Sequence, residues 1–177
     1  LLPLQREAYN RALKGSRLGG TGNPLELITR LREICDYEEE SEESSKIDRT
    51  LEIIDEVRTM GEKVVIFSYL LKPIEIISRK LKQSLPDGGR TFEVLTGDMQ
   101  VRERDAAIER FKVDPNKTAL LCSSRIGGEG LNLTEANHVI FLNEWWNPAA
   151  NAQARDRVHR IGQEKGVRVY RFRCAWT

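Results

Sequence analysis

The chain has 177 residues, of which 40% are hydrophobic and 31% charged, the proportions of an ordinary globular protein with room for one core domain and a short appended arm. No apolar run approaches the roughly 20 residues of a membrane span, and the opening Leu1-Leu2-Pro3-Leu4-Gln5-Arg6-Glu7 lacks signal-peptide form, so no membrane partner is expected. A net charge of +1 excludes a general polyanion binder, although the charge is segregated along the chain. Residues 36–43 hold six acids and no base, whereas 155–173 hold seven Lys or Arg against two acids, so a polyanion belongs at the carboxy-terminal end. Cys35, Cys122 and Cys174 lie far apart in sequence without a C-x-x-C pair, which argues against a zinc site or a disulfide framework and reads as a reducing, intracellular setting. The start at Leu1 rather than Met reads as a piece of a longer protein.

In chain order, Leu4, Ala8, Ala12 and Leu13 predict a helix over 4–14, followed by a glycine-rich break over 15–22. A second helix is predicted from Pro24, with Asn23 as cap and Leu27, Ile28, Leu31 and Ile34 on one face. The acidic, serine-containing run 36–46 has little apolar surface and reads as a solvated, mobile linker. From Lys46, the spacing of Ile47, Leu51, Ile54 and Val57 predicts an amphipathic helix that Gly61 stops. The compact domain begins there, giving an arm over 1–35, a linker over 36–46 and a main domain over 47–177, truncated at its far end.

Strands and helices then alternate. Strands are predicted at 63–68, 91–95, 118–122, 138–142 and 167–172, with helices around Ile74, Ile77 and Leu81, over 99–112, and before the last strand. Apolar β-branched strands interleaved with amphipathic helices predict an α/β domain with a mostly parallel sheet covered on both faces, whose ligands bind at the carboxyl ends of the strands. His138 and His159 have no companions at metal-ligand spacing, so no metal site is expected on them.

Three stretches carry chemistry. In Ser123-Ser124-Arg125-Ile126-Gly127-Gly128-Glu129-Gly130, the glycines let a phosphate or sugar approach the backbone, directly after a hydroxyl and a guanidinium. In Asn143-Glu144-Trp145-Trp146-Asn147-Pro148, two adjacent tryptophans precede a proline; Trp145 reads as buried. In Gln153-Ala154-Arg155-Asp156-Arg157-Val158-His159-Arg160-Ile161-Gly162-Gln163, Gln153, Arg157 and Arg160 stand at i, i+4 and i+7, one helix face suited to phosphate. A solvated charged face is the ordinary reading of such spacing.

The last string resembles the sixth helicase motif of the Swi/Snf family of DNA-translocating ATPases, Q-A-x-x-R-x-H-R-I-G-Q, with every fixed position present. Lys63-Val64-Val65-Ile66-Phe67-Ser68 resembles the fourth motif, K-V-x-I-F-S, and 123–133 the fifth, S-T-R-A-G-G-x-G-I-N-L, with Ser124 for Thr and Ile126 for Ala. Asn143 to Pro148 resembles D-x-x-W-N-P, and Leu31 to Glu38 resembles L-R-x-x-C-x-H-P without its His-Pro. The resemblance covers nearly the whole chain in the right motif order.

It implies a RecA-like three-layer α/β lobe preceded by a helical linker arm, the second motor lobe of an ATP-dependent double-stranded DNA translocase of chromatin-remodelling or DNA-repair type. Arg157 and Arg160 are implied as arginine fingers, and Gln153, Gly127, Gly128 and Gly130 as nucleotide contacts. Ser68, Thr96, Gly97, Ser124, Arg125 and Trp146 are implied as DNA contacts, with the turn after Leu95 presenting helix-start amides, or Asp98 serving merely as a cap. The chain has no G-x-x-x-x-G-K-[ST] loop, and Asp55-Glu56 sits mid-helix rather than in a Mg²⁺ box. ATP and Mg²⁺ are therefore expected as cofactors shared with an amino-terminal RecA-like lobe of the same protein, which would carry the Mg²⁺ ligands, and this lobe alone is expected to be inactive. Further expected partners are a nucleosome or another DNA-bound protein, in the nucleus of a eukaryote or the nucleoid-bearing cytoplasm of a prokaryote. The alternative is a non-catalytic nucleic-acid-binding module that kept the lobe without hydrolysis.

Overall fold

The computed structural model describes residues 1–17, 23–84, 91–123, 133–143, 165–175 and 177. Helices α1 (Pro3–Arg17), α2 (Pro24–Asp36) and α3 (Ser45–Thr59) precede β1 (Val64–Ser68), α4 (Leu71–Ser84), β2 (Phe92–Leu95), α5 (Val101–Val113), β3 (Ala119–Ser123), β4 (His138–Phe141) and β5 (Arg168–Arg171). The chain separates into two compact units, 1–49 with 173–177, and 50–172.

In the larger unit the five strands form one sheet in the order β2-β3-β1-β4-β5, and every neighbouring pair is parallel. Strands β1, β3 and β4 are buried at every position, as an apolar strand covered on both faces must be. Alternation sends Val65 and Phe67 of β1 to one face, where they pack with Leu120, Val139, Phe141 and with Ala107, Ile108 and Phe111 of α5. Val64 and Ile66 point to the opposite face, and α4, which lies against β1 and β3, buries Ile74, Ile76, Ile77 and Leu81. Edge strand β5 is exposed along Arg168, Val169 and Arg171.

Helix α3 ends as its sequence predicts. Gly61 adopts φ +68°, its N–H bonds the Arg58 carbonyl at 3.0 Å, and the Glu62 N–H bonds the Val57 carbonyl at 3.1 Å, the paired bonds of a left-handed glycine terminus. At the amino end of the sheet, Lys63 donates to the Phe111 carbonyl and, at 2.8 Å, to the Asp114 carbonyl, so its cation closes the end of α5. Buried His138 is held between Glu62 Oε2 at 2.6 Å and the Tyr170 hydroxyl at 3.0 Å, a structural role in keeping with the lack of metal-ligand spacing.

In the smaller unit Asn23 caps α2 by accepting the Leu25 N–H at 3.0 Å. Gln5, fully buried, donates to the Ile34 carbonyl at 2.8 Å and accepts the Ser45 N–H at 3.1 Å. The stretch read as a solvated acidic linker is built differently: Asp36, Glu38 and Ser44 are buried. Lys46 pairs with Asp36 at 2.6 Å, and Glu38 accepts the N–H groups of Ser41 and Glu40 at 2.7 and 3.0 Å, bonds that hold its carboxyl below the usual range. Polar capping organises this segment where apolar burial does not.

Strand β2 is fastened to α5 by charge. Arg110 grips both oxygens of Glu93 at 2.9 Å each, and Lys117 reaches the same carboxylate at 2.9 Å. Burial opposes ionisation of Glu93, but the bonds from Arg110 and Lys117 outweigh it and hold its carboxyl below the usual range. With the folded value below the unfolded one, the stabilisation is complete above about pH 4.3 and is lost as pH falls through the folded value. Glu93→Gln should therefore cost about 1 to 3 kcal/mol near neutrality and progressively less as pH falls through the folded value, read from urea unfolding across an acid pH series. An equal loss at every pH would show that the charge contributes nothing.

Candidate functional site

The apolar strands push polar groups to their ends. Leu95, Cys122, Phe67, Phe141 and Arg171 form one row across β2, β3, β1, β4 and β5, so Thr96, Ser123 and Ser68, one residue further on, share the carboxyl edge. Chain connections leave β1 toward β2 and β4 toward β5, on opposite sides. The crevice between the carboxyl ends of β1 and β4 is therefore where the strand order reverses, the usual ligand position in an open α/β sheet.

Asn143 fills that crevice. Its Oδ1 accepts the Tyr69 N–H at 2.8 Å, and its Nδ2 donates to Ser68 Oγ at 3.1 Å. Ser68 also donates to the Leu70 carbonyl at 2.7 Å and accepts the Leu70 N–H at 3.2 Å. At 1% exposure the Ser68 hydroxyl makes its hydrogen bonds to protein partners, and the phosphate contact expected of it stands as a proposal. Those bonds lock the turn after β1. Asn143, which opens the tryptophan-bearing stretch, was not singled out in the sequence; its place ahead of Trp145-Trp146 was the available signal.

Thr96 and Gly97 stand at the edge as expected, Gly97 exposed and Thr96 half-buried. The helix does not start there. Helix α5 begins at Val101, and the Gln100 N–H donates to Glu103 Oε2 at 3.2 Å, a reciprocal link of the capping-box kind. Asp98 therefore is not the cap; the Thr96 hydroxyl and its own N–H hold its carboxyl below the usual range. The Thr96 and Gly97 amides belong to the preceding turn, in which the Met99 N–H bonds the Thr96 carbonyl at 3.3 Å.

A cleft of about 470 Å³ opens between these strand ends, lined by Tyr69, Leu70, Leu71, Thr96, Gly97, Asp98 and Ser123. Its floor joins β1, β2 and β3, and the chain leaves Ser123 directly into Ser124 and Arg125. Ser124, Arg125, Gly127, Gly128, Gly130, Trp146, Gln153, Arg157 and Arg160 lie outside the described residues. Among the described residues no cluster of His, Cys, Asp or Glu could hold a metal ion, and no helix is long and apolar enough to cross a membrane.

A parallel sheet covered on both faces, with its polar groups gathered at the carboxyl edge, defines a RecA-like α/β lobe. Residues 45–162 match the helicase conserved C-terminal domain, and the chain belongs to that family as a helicase-like C-terminal lobe of Swi2/Snf2 ATPase type. It is 31% identical to the Sulfolobus solfataricus SWI2/SNF2 ATPase core solved in complex with dsDNA, with a TM-score of 0.77 over 97% of this chain and 38% of that one. To the C-terminal domain of the Sulfolobus solfataricus SWI2/SNF2 ATPase it is 30% identical, with a TM-score of 0.70 over 84% of this chain and 71% of that one. It is also 37% identical over 158 residues to a putative ATP-dependent helicase/translocase, YwqA, of Bacillus subtilis. That match takes in 84% of this chain but only 17% of the relative, so the chain spans a small part of such a protein.

Asn143→Ala should cost about 1 to 3 kcal/mol by leaving the Tyr69 N–H without its acceptor. Asn143→Asp, which keeps that acceptor, should cost less. Chemical unfolding of the two variants beside the parent checks the order; equal stabilities for all three would remove Asn143 from the role given to it.

Proposed function

We propose that the chain is the second motor lobe of an ATP-dependent double-stranded DNA translocase, and that it hydrolyses ATP only together with an amino-terminal RecA-like lobe of the same protein. The carboxyl-edge cleft carries the reading, because three strand ends converge there and the motif-bearing stretches leave from β3 and β4. Ser68, Ser124, Arg125, Thr96, Gly97 and Trp146 are the proposed DNA contacts, the first five for the strand backbone and Trp146 as an aromatic wedge. Gln153, Gly127, Gly128 and Gly130 are the proposed nucleotide contacts.

Arg157 and Arg160 are proposed to stabilise the charge that develops on the transferred phosphoryl group. ATP is the proposed nucleotide, and Mg²⁺ would be held by carboxylates of the partner lobe. The dsDNA in the archaeal complex and the helicase/translocase name of the Bacillus subtilis relative support the class of substrate. Whether the track is bare DNA, DNA under repair or a nucleosome depends on the rest of the protein, as does its place in a nucleus or a prokaryotic cytoplasm.

Two measurements separate this from a binding module without hydrolysis. The 177-residue chain alone should release no phosphate from ATP, with or without DNA, because it offers fingers but no β,γ-phosphate cradle. In the protein containing both lobes, Arg157→Ala or Arg160→Ala should lower turnover by on the order of 10³ while ATP and DNA binding persist. Turnover by the isolated chain, or near-normal turnover in either variant, would overturn the assignment.

Trp146→Ala in the same two-lobe protein should lower DNA translocation more than ATP turnover, since phosphoryl transfer needs no indole. Triplex displacement per ATP hydrolysed is the measure. An unchanged ratio would leave Trp146 with a packing role only.

A further inference from the structure

The smaller unit brings together two cysteines that stand 139 positions apart. Cys35 lies in the last turn of α2 and Cys174 in the segment after β5, and both are half-buried free thiols. The Cys174 thiol donates to the Cys35 carbonyl at 3.6 Å, which sets the two residues side by side. The 173–177 segment has a second anchor, a bond of 3.4 Å from Arg6 to the Ala175 carbonyl.

We propose that Cys35 and Cys174 are a peroxide-sensitive dithiol that closes to an intramolecular disulfide. A hydrogen bond from the Cys35 thiol, and then the nearby Lys46 ammonium, favour the Cys174 thiolate and draw its pKa down, while the same shared proton pushes Cys35 up. Lys46 is itself fixed on Asp36 at 2.6 Å. In the proposal Cys174, once its thiol has given up its proton and its bond to the Cys35 carbonyl, is the attacking sulfur and Cys35 the resolving one.

The chemistry balances with hydrogen peroxide as oxidant. The Cys174 thiolate attacks one peroxide oxygen, the O–O bond breaks, and Cys174 becomes a sulfenic acid while hydroxide leaves. The Cys35 sulfur then attacks the sulfenyl sulfur, the S–O bond breaks, and water departs with the Cys35 proton. A dithiol reductant returns both electrons and restores the thiols. Because residues 36–173 lie between the two cysteines, the bond would close them into one covalent loop.

Cys122 serves as an internal control, since it is buried in β3. The full 177-residue chain is treated with hydrogen peroxide, quenched, alkylated under denaturing conditions, digested and mapped by mass spectrometry. The expected product is a Cys35–Cys174 linked peptide lighter by two hydrogens, with only Cys122 alkylated and the link reversed by dithiothreitol. Cys35→Ser and Cys174→Ser should each abolish the link, whereas Cys122→Ser should keep it. The oxidised chain should melt higher by about 5 to 10 °C than the reduced one, because the closed loop is long. Alkylation of all three cysteines after oxidation, a link through Cys122, or Cys174 driven to sulfinic acid while Cys35 stays free would each overturn the proposal.

Discussion

Strand β1 lies between β3 and β4 and is buried along its whole length, and most of the structure follows from that. A strand so enclosed has no side chain in water, so it can hold nothing polar along Val64, Val65, Ile66 and Phe67 without leaving a hydrogen-bonding group unmet. Its first polar residue is Ser68, at the point where the sheet ends. Neighbour β3 obeys the same constraint up to Ser123, and β4, whose one polar side chain His138 is paired at the amino end, continues apolar until Asn143, in nearly the same row as Ser68. Hydroxyls, amides and exposed turns thus collect along one edge because the core excludes them elsewhere.

The two ends of the sheet have been put to different uses. At the amino end, polar groups are paired among themselves: Lys63 closes α5, and His138 is sandwiched by Glu62 and Tyr170. At the carboxyl end, the turn after β2 leaves Gly97 and Asp98 open to solvent beside a cleft. Among the described residues, the β1 to β4 crevice is sealed there by Asn143 and Ser68. That seal ties the end of β4 to the turn after β1.

Charge completes what apolar packing starts. Strand β2 lies at a sheet edge and is buried only at Phe92 and Leu95, so burial alone holds it weakly. The grip of Arg110 and Lys117 on Glu93 ties it to α5 and to the approach to β3. The same logic recurs around Asp36, Glu38 and Ser44, where caps and an ion pair order a run whose composition is that of a solvated spacer.

Much of this was legible in the residues themselves. The continuous apolar, β-branched runs and the period-3.6 patterns give five strands and the helices α3, α4 and α5 close to where they fold, because such patterns report which faces are buried whatever the partner. Asn23, Pro24 and Gly61 mark helix ends because their preferred geometries are local. The stretches proposed to face nucleotide and DNA were likewise visible as motifs, since the order of glycines and arginines along the chain is itself the signal. The fate of a polar side chain depends instead on what the fold brings beside it. Nothing within Lys63 to Ser68 says that Asn143 will occupy the Ser68 hydroxyl, that α5 will start at Val101 rather than beside Gly97, or that Cys35 will meet Cys174. Local propensity acts over a few residues, whereas these pairings arise only when chain closure has set segments far apart in sequence side by side.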